Sequence, residues 1–336
     1  MTKIKKPAEL TIAPVLKVLI YGQPGIGKTT LGLSFPDPLL VDCDRGAHRV
    51  RPEHLKDTVE VTSWSDVDEV LGEDLSAYKT IVFDTGGKLI DYMTDHLIKV
   101  NPKFAQGDGT FSLKGYGARK IMFQNLLSRL HIMGKHVVFV AHEREERDGD
   151  NRFVRPEIGG SSGNDLIKEL DMVAYMDAIG SKRTLHLSPQ ERYYAKNSLG
   201  LDEALHVPGI DKGNDFMTSI VEKYLQDVNQ RREQSKEYFE VLRVIEGKIN
   251  ALTGCNDANE FIEKVHSMNH IWDTKLRAAS MLRKKAGELG LKYDREAGKY
   301  VEEKPESPPE KPEPTKRKEP VRKAKRQSSK KSKDAK

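Results

Sequence analysis

With 336 residues, 32% of them charged and 37% hydrophobic, the chain has the make-up of a globular core carrying solvated segments. No apolar run approaches the roughly 18 residues of a membrane span, the opening MTKIKKPAEL lacks the apolar stretch of a signal peptide, and Cys43 and Cys255 fit neither a disulfide framework nor a zinc site. A cytoplasmic protein without membrane contact is expected, and its net charge of +5 is unevenly spread: Thr315 to Lys336 carries eleven Lys/Arg against two acids, a local +9, which leaves the first 314 residues at −4.

Residues 1–14 read as a polar arm ending at Pro14, and Val15 to Tyr21 as a first strand. That strand stops at Gly22-Gln23-Pro24-Gly25-Ile26-Gly27-Lys28-Thr29, a complete G-x-x-x-x-G-K-[ST] phosphate loop, and a helical pattern takes over at Thr30. Its glycines let successive N–H groups turn toward phosphate oxygens. Lys28 is placed to reach the β- and γ-phosphates, and the Thr29 hydroxyl to meet Mg²⁺. The following helix is short, because Phe35-Pro36-Asp37-Pro38 breaks it. Leu39-Leu40-Val41 has the uniform apolarity of a strand buried on both faces, and it delivers Asp42, Cys43 and Asp44 to the sheet edge where α/β proteins bind ligands.

Val59 to Val61 is a further short strand, followed by a helix from Trp64 to Leu71 capped by Ser63 or Ser65. Thr80-Ile81-Val82-Phe83-Asp84 is an apolar strand ending in an acid, the Walker B pattern, in which Asp84 holds the metal on the phosphates. A helix from Lys88 to Lys99 precedes a Gly-rich polar stretch over residues 101–117 containing Phe104 and Phe111. Ala118 to Met133 is an amphipathic helix, and Val137 to Ala141 a fourth buried strand presenting His142 at the same edge as Asp84. Beyond it, Arg144, Arg147, Arg152 and Arg155 alternate with acids, a pattern that suits either an exposed hairpin with solvated charge or a mobile loop meeting a polyanion.

Asp171 to Ile179, Arg183 to Leu187 and Arg192 to Lys196 read as three more strands, the last two extending the sheet as a hairpin. Phe216 to Glu246 is helical with a break expected near Gln230-Arg231, and helices over 256–266 and 272–289 follow without further strand signals. From these patterns the chain divides into a core over 15–230, a helical module over 231–301 and a tail over 302–336. The tail, rich in proline and lysine and nearly free of aliphatics, is expected to be disordered, serving polyanion binding or solubility.

VLIYGQPGIGKTT, LLVDCDRG, TIVFDT, VVFVAHE, LDMVAYM and YYAKNSLG together resemble the RecA-like P-loop ATPase core, and more narrowly the phage-encoded RecA-like ATPases that include single-strand-annealing recombination proteins, over roughly residues 15–210. The resemblance implies an α/β RecA-like P-loop NTPase core with a mostly parallel sheet, an ATPase using ATP and Mg²⁺, and a cofactor site over Gly22 to Thr30. It implies that Asp44, one methylene shorter than the family's glutamate, activates water; that His142 senses the γ-phosphate; and that Lys196 supplies a cation to a neighbouring subunit, although Ser198 stands where related motors have arginine. It further implies a homo-oligomer, ring or filament, in the host cytoplasm, binding single-stranded DNA through Arg144, Arg147, Arg152 and Arg155 with Phe104 or Phe111 stacking on bases, and meeting a single-strand-binding or other replication protein. A nucleotide-dependent adaptor, such as a helicase loader, is the alternative.

Overall fold

Runs of Val, Ile, Leu and Phe bounded by Gly, Pro and Asp become the parallel strands of one sheet, because only strands covered on both faces can be apolar throughout. The computed structural model describes residues 15–149, 151–159, 163–209 and 214–302; the arm over 1–14 and the tail from 303 onward lie outside them. The parallel strands are β1 (Lys17–Gly22), β2 (Pro38–Asp42), β3 (Thr58–Glu60), β4 (Thr80–Asp84), β5 (His136–Asp148) and β7 (Met172–Ile179). Their order across the sheet is β7-β1-β5-β4-β2-β3. Antiparallel strands complete it: β6 (Asn151–Pro156) on β5, β8 (Lys182–His186) and the two-residue β9 (Lys196–Asn197) on β7, and β10 (Ala204–Val207) on β8.

Alternate residues of the central strands face two separate cores. On one face Leu19, Phe83 and Phe139 pack with α3 (Gly86–Val100) and α4 (Leu113–Ile132), through Leu89, Ile90 and Phe123. On the other, Val18, Ile20, Val82 and Val140 pack with α1 (Lys28–Gly32) through Leu31, and with Met217 and Val221. Each such buried side chain contributes about 1.5–3 kcal/mol of hydrophobic stabilisation before the entropy of ordering is set against it. The helix α2 (Trp64–Val70) is capped by Ser63, whose hydroxyl accepts from the Asp66 N–H while the Asp66 carboxylate takes the Ser63 N–H.

Several elements depart from the expected reading. The long helix α4 starts at Leu113, five residues earlier than predicted, because Ser112 caps it and the Phe111 ring lies where a Cβ on Gly115 would fall, 2.6 Å away. The strand β5 continues past Ala141 to Asp148 and pairs with β6, so of the two readings of the arginine-rich segment the exposed hairpin is the one that forms, held by backbone pairing despite its polar sequence. The expected hairpin of Arg183–Leu187 with Arg192–Lys196 does not form: β8 pairs with β7 and β10 instead, and only Lys196–Asn197 of the later segment is strand.

A short helix α5 (Gly163–Ile167) precedes β7, and α6 (Phe216–Asn250) runs unbroken through Gln230-Arg231. The chain divides into two compact units inside that helix, one ending at Phe239 and the other beginning at Glu240. The second unit contains α7 (Cys255–Ser267), α8 (Thr274–Glu288) and a two-stranded hairpin of β11 (Leu291–Asp294) and β12 (Lys299–Glu302), which the sequence reading lacked. Ile245, Ile249, Phe261, Ala278, Leu282 and Tyr300 form its own core. Among the described residues no helix is long and apolar enough to cross a membrane.

Candidate functional site

The phosphate loop leaves β1 at a point where only glycine fits. A Cβ on Gly22 would lie 2.3 Å from the Met176 carbonyl oxygen of the adjacent β7. Five residues on, Gly27 takes φ 98°, a left-handed conformation that turns the chain into α1. Lys28 follows, 5% exposed, its ammonium donating to the Gln23 carbonyl at 2.6 Å. Burial lowers its pKa, opposed by the nearby Asp84 and Glu143 carboxylates.

Across the loop, β4 ends at Asp84, level with Val140 of β5. The Thr29 hydroxyl donates to the Asp84 carboxylate, so the loop and the acid are joined. Asp84 is 8% exposed. Burial raises its carboxyl to about 6, Asp44 and Asp42 adding repulsion while the Thr29 hydrogen bond and Lys28 act the other way.

The two acids that end β2 and follow it have different surroundings. Asp42 is buried and accepts the Gly46 and Ala47 N–H groups at 3.0 and 2.8 Å, shaping the turn beyond the strand. Asp44 faces the cleft, 3.6 Å from the Arg49 guanidinium. That turn is crowded: a Cβ on Gly46 would come within 2.5 Å of Asp44 Oδ1 and 3.0 Å of Arg49 Nη2. His142 of β5 is level with Gly22 of β1, and its Nδ1 is buried without a hydrogen-bond partner among the described residues. Burial lowers its pKa and the Lys28 charge lowers it further, so the ring is neutral at pH 7.

Lys28, Thr29, Asp44, Asp84 and His142 thus line one cleft of about 160 Å³, together with Pro24, Gly25, Gly27 and Thr30. Gly22, Gln23 and Ile26 belong to the same loop but are not among the residues that line the cleft. Arg49 and Val50 line it as well. Neither was foreseen, although Arg49 stands only five residues beyond Asp44. The oxygen pair of Thr29 and Asp84 suits a hard divalent cation. Among the described residues no group of three or more His, Cys, Asp or Glu could hold a metal ion, so the protein offers few donors. That matches a cation bound mainly through phosphate oxygens and water rather than in an all-protein cage.

Lys196 is not in this constellation. It pairs with Val173 at the start of β7, three residues before Met176, the residue level with Gly22. At the strand rise of about 3.3 Å per residue it sits roughly 10 Å down the sheet from the cleft edge. There its ammonium donates to the Lys168 and Leu170 carbonyls at 3.0 and 2.5 Å, tying down its own chain. A different cation reaches the phosphate loop. Arg183 of β8 donates through Nε to the Ile26 carbonyl at 2.7 Å. No local sequence signal marks it, since the contact spans 157 positions. Arg183→Ala is expected to raise KM for ATP on the order of tenfold, by freeing Ile26, with a smaller loss in kcat; steady-state ATP titration checks this, and Arg183→Lys should recover only part.

A family profile described as an AAA domain matches residues 15–199. The chain belongs to this AAA-domain family. The AAA domain contains β1 through β9, and with them the whole cleft and Arg183, while β10, the whole of α6 and the second unit lie beyond it. Its P-loop ATPase character is that of a nucleotide-binding and ATP-hydrolysing domain, which agrees with the cleft. A comparison with curated proteins finds no match.

The arginine-rich hairpin is continuous with the AAA domain's β5. Arg144 lies opposite Arg155, and Arg147 opposite Arg152. Because directly paired residues share a face and faces alternate along a strand, the four arginines divide into two pairs on opposite faces of the ribbon. Arg144 and Arg155 both approach Glu146. The aromatic candidates differ as well: Phe111 meets Tyr116 edge-on with ring centroids 5.1 Å apart and lies under the Arg119 guanidinium, so its ring is engaged within the chain.

Proposed function

We propose that the AAA domain is a RecA-like ATPase whose turnover is linked to single-stranded DNA, acting in annealing or recombination in phage DNA metabolism as a homo-oligomer. The single observation that carries this reading is the continuity of β5. His142 lines the nucleotide cleft, and Arg144 and Arg147 follow on the same strand before the turn into β6. A change at His142 when the γ-phosphate leaves has a covalent path to the hairpin.

In this reading Lys28 neutralises phosphate charge from a buried position, where the attraction is least screened. Thr29 and Asp84 hold Mg²⁺, which when bound neutralises charge on the phosphate oxygens. Asp44 orients the attacking water, and the adjacent Arg49 restrains its carboxylate at 3.6 Å while adding a cation to the cleft. The neutral His142 meets the γ-phosphate as a hydrogen-bond partner rather than as a charge. The basic tail adds salt-sensitive affinity for the DNA backbone.

One observation favours a nucleotide-dependent adaptor as the second reading: Glu146 occupies both Arg144 and Arg155, leaving Arg147 and Arg152 as the more accessible pair. Fluorescence anisotropy with labelled single strands, alongside ATPase assays, separates the two. Single-stranded DNA is expected to stimulate turnover in a chain truncated after Glu302. Arg147→Glu with Arg152→Glu is expected to weaken DNA binding about tenfold or more. Active ATPase without DNA binding in either full or truncated chain would support the adaptor and overturn the DNA reading.

A further inference from the structure

The second unit has a groove of about 580 Å³ between α7, α8 and the β11–β12 hairpin. Its floor is aliphatic, formed by Ile262 and Val265 of α7 and by Ala278, Ala279 and Leu282 of α8. Val265, Ala278 and Leu282 also belong to the unit's core, which gives the floor a fixed shape. Around it stand Lys275, Arg283 and Arg295, and no acidic side chain lines it.

Among its described residues the unit carries both paired and unpaired cations, and the three in the groove's lining are unpaired. Nearby Lys264, Arg277 and Lys285 are each paired with an acid on their own helix, Glu260, Asp273 and Glu288. Among the described residues Lys275, Arg283 and Arg295 have no carboxylate within 4.0 Å. The lining thus sets three cations and no carboxylate around a floor that is mostly buried, with Ala279 exposed and Ile262 half-buried on it. Lys275 and Arg283 are eight positions apart, about 12 Å along α8, a span that a short peptide covers.

We propose that this groove binds an acidic peptide segment of a partner protein, which sets aliphatic side chains on the floor near Ala279 and places carboxylates against Lys275, Arg283 and Arg295. The charge arrangement requires an anionic occupant, and the floor requires an apolar one. Single-stranded nucleic acid supplies the charge but stacks its bases on aromatic faces. Here Phe261 and Tyr300 also line the groove but are buried in the core, which leaves Tyr293, 45% exposed and edge-on to Tyr300, and the His266 imidazole as the rings open to stacking. The inference does not depend on the nucleotide chemistry of the AAA domain.

The test uses the full chain and a dye-labelled decapeptide of alternating aspartate and leucine, read by anisotropy. A version with serine for leucine is expected to bind at least about tenfold more weakly, because each buried leucine is lost. Arg283→Glu and Lys275→Glu, made separately at exposed positions and checked by thermal melts, are each expected to weaken the leucine peptide about fivefold or more. Ala279→Glu places a like charge on the floor and is expected to weaken it similarly. Equal binding of the serine and leucine peptides would assign the affinity to nonspecific attraction by the basic tail and overturn the proposal. Unchanged affinity in all three variants would also overturn it, as would oligo-dT that binds more tightly than the peptide and loses affinity in the same variants.

Discussion

Replacing Lys28 by alanine is expected to lower kcat for ATP hydrolysis by about 10²–10³-fold, measured by phosphate release at saturating ATP. The loss follows from where the ammonium sits. At 5% exposure, water screens it little, so its attraction for phosphate charge is stronger than a surface lysine's. The same burial lowers its pKa, which reflects the cost of keeping it charged without phosphate beside it. The hydrogen bond it donates to the Gln23 carbonyl of its own loop is of a kind that phosphate oxygens can replace. Removing the charge should therefore reduce turnover without unfolding the chain, and the nucleotide-free variant is expected to melt no lower than the wild type. Turnover at the wild-type rate would remove Lys28 from the site.

For Asp84→Asn the expected effects on activity and stability have opposite signs. Asn cannot match the carboxylate as a donor to a divalent cation, so metal-supported turnover is expected to fall at least about 100-fold. Stability at neutral pH should rise. The Asp84 carboxyl titrates near 3.8 when free and at about 6 in the folded chain. Between those values the folded state holds a proton that the unfolded state has released, so stability falls as pH rises from about 4 to about 6 and is level above. A shift of about two pH units corresponds to about 3 kcal/mol. Asn stays neutral, retains a carbonyl oxygen for the Thr29 hydroxyl, and removes the repulsion from Asp44 and Asp42. The nucleotide-free variant is expected to gain about 1–3 kcal/mol at pH 7 and to lose most of the pH dependence between 4 and 6. Denaturant melts at pH 4.5 and 7, run without metal, measure both, and a variant less stable than the wild type at pH 7 would contradict the buried-charge argument.

What the sequence revealed of this site depended on how local each signal is. The glycines, Lys28 and Thr29 are contiguous, and Asp44, Asp84 and His142 each lie at or just beyond the end of an apolar strand, so parallel pairing alone brings them to one edge. Arg183 is different. Its role depends on β8 folding back antiparallel on β7, and an arginine at the start of a short polar strand otherwise looks solvated. Lys196, given a role toward a neighbouring subunit, sits away from this chain's own cleft: the segment before it does not extend into a full strand, and the short β9 pairs at the far end of β7. The β5–β6 hairpin has charges on both faces, so it lacks the polar–apolar alternation by which a half-buried strand is read. The hairpin of Leu291–Asp294 and Lys299–Glu302 is held by few buried groups, chiefly Leu291 and Tyr300, too few to set a period.

The strand that ends in the phosphate loop has no free edge. From Val18 to Gly22, β1 is paired with β5 on one side and β7 on the other, and Leu19, Ile20 and Tyr21 are fully buried. Its amides can exchange with solvent only when neighbouring strands separate, so it belongs to the most slowly opening part of the domain. The loop can therefore flex around a ligand while its point of attachment stays fixed, and fraying at the sheet's outer strands, β3 or β10, leaves the grip on nucleotide intact.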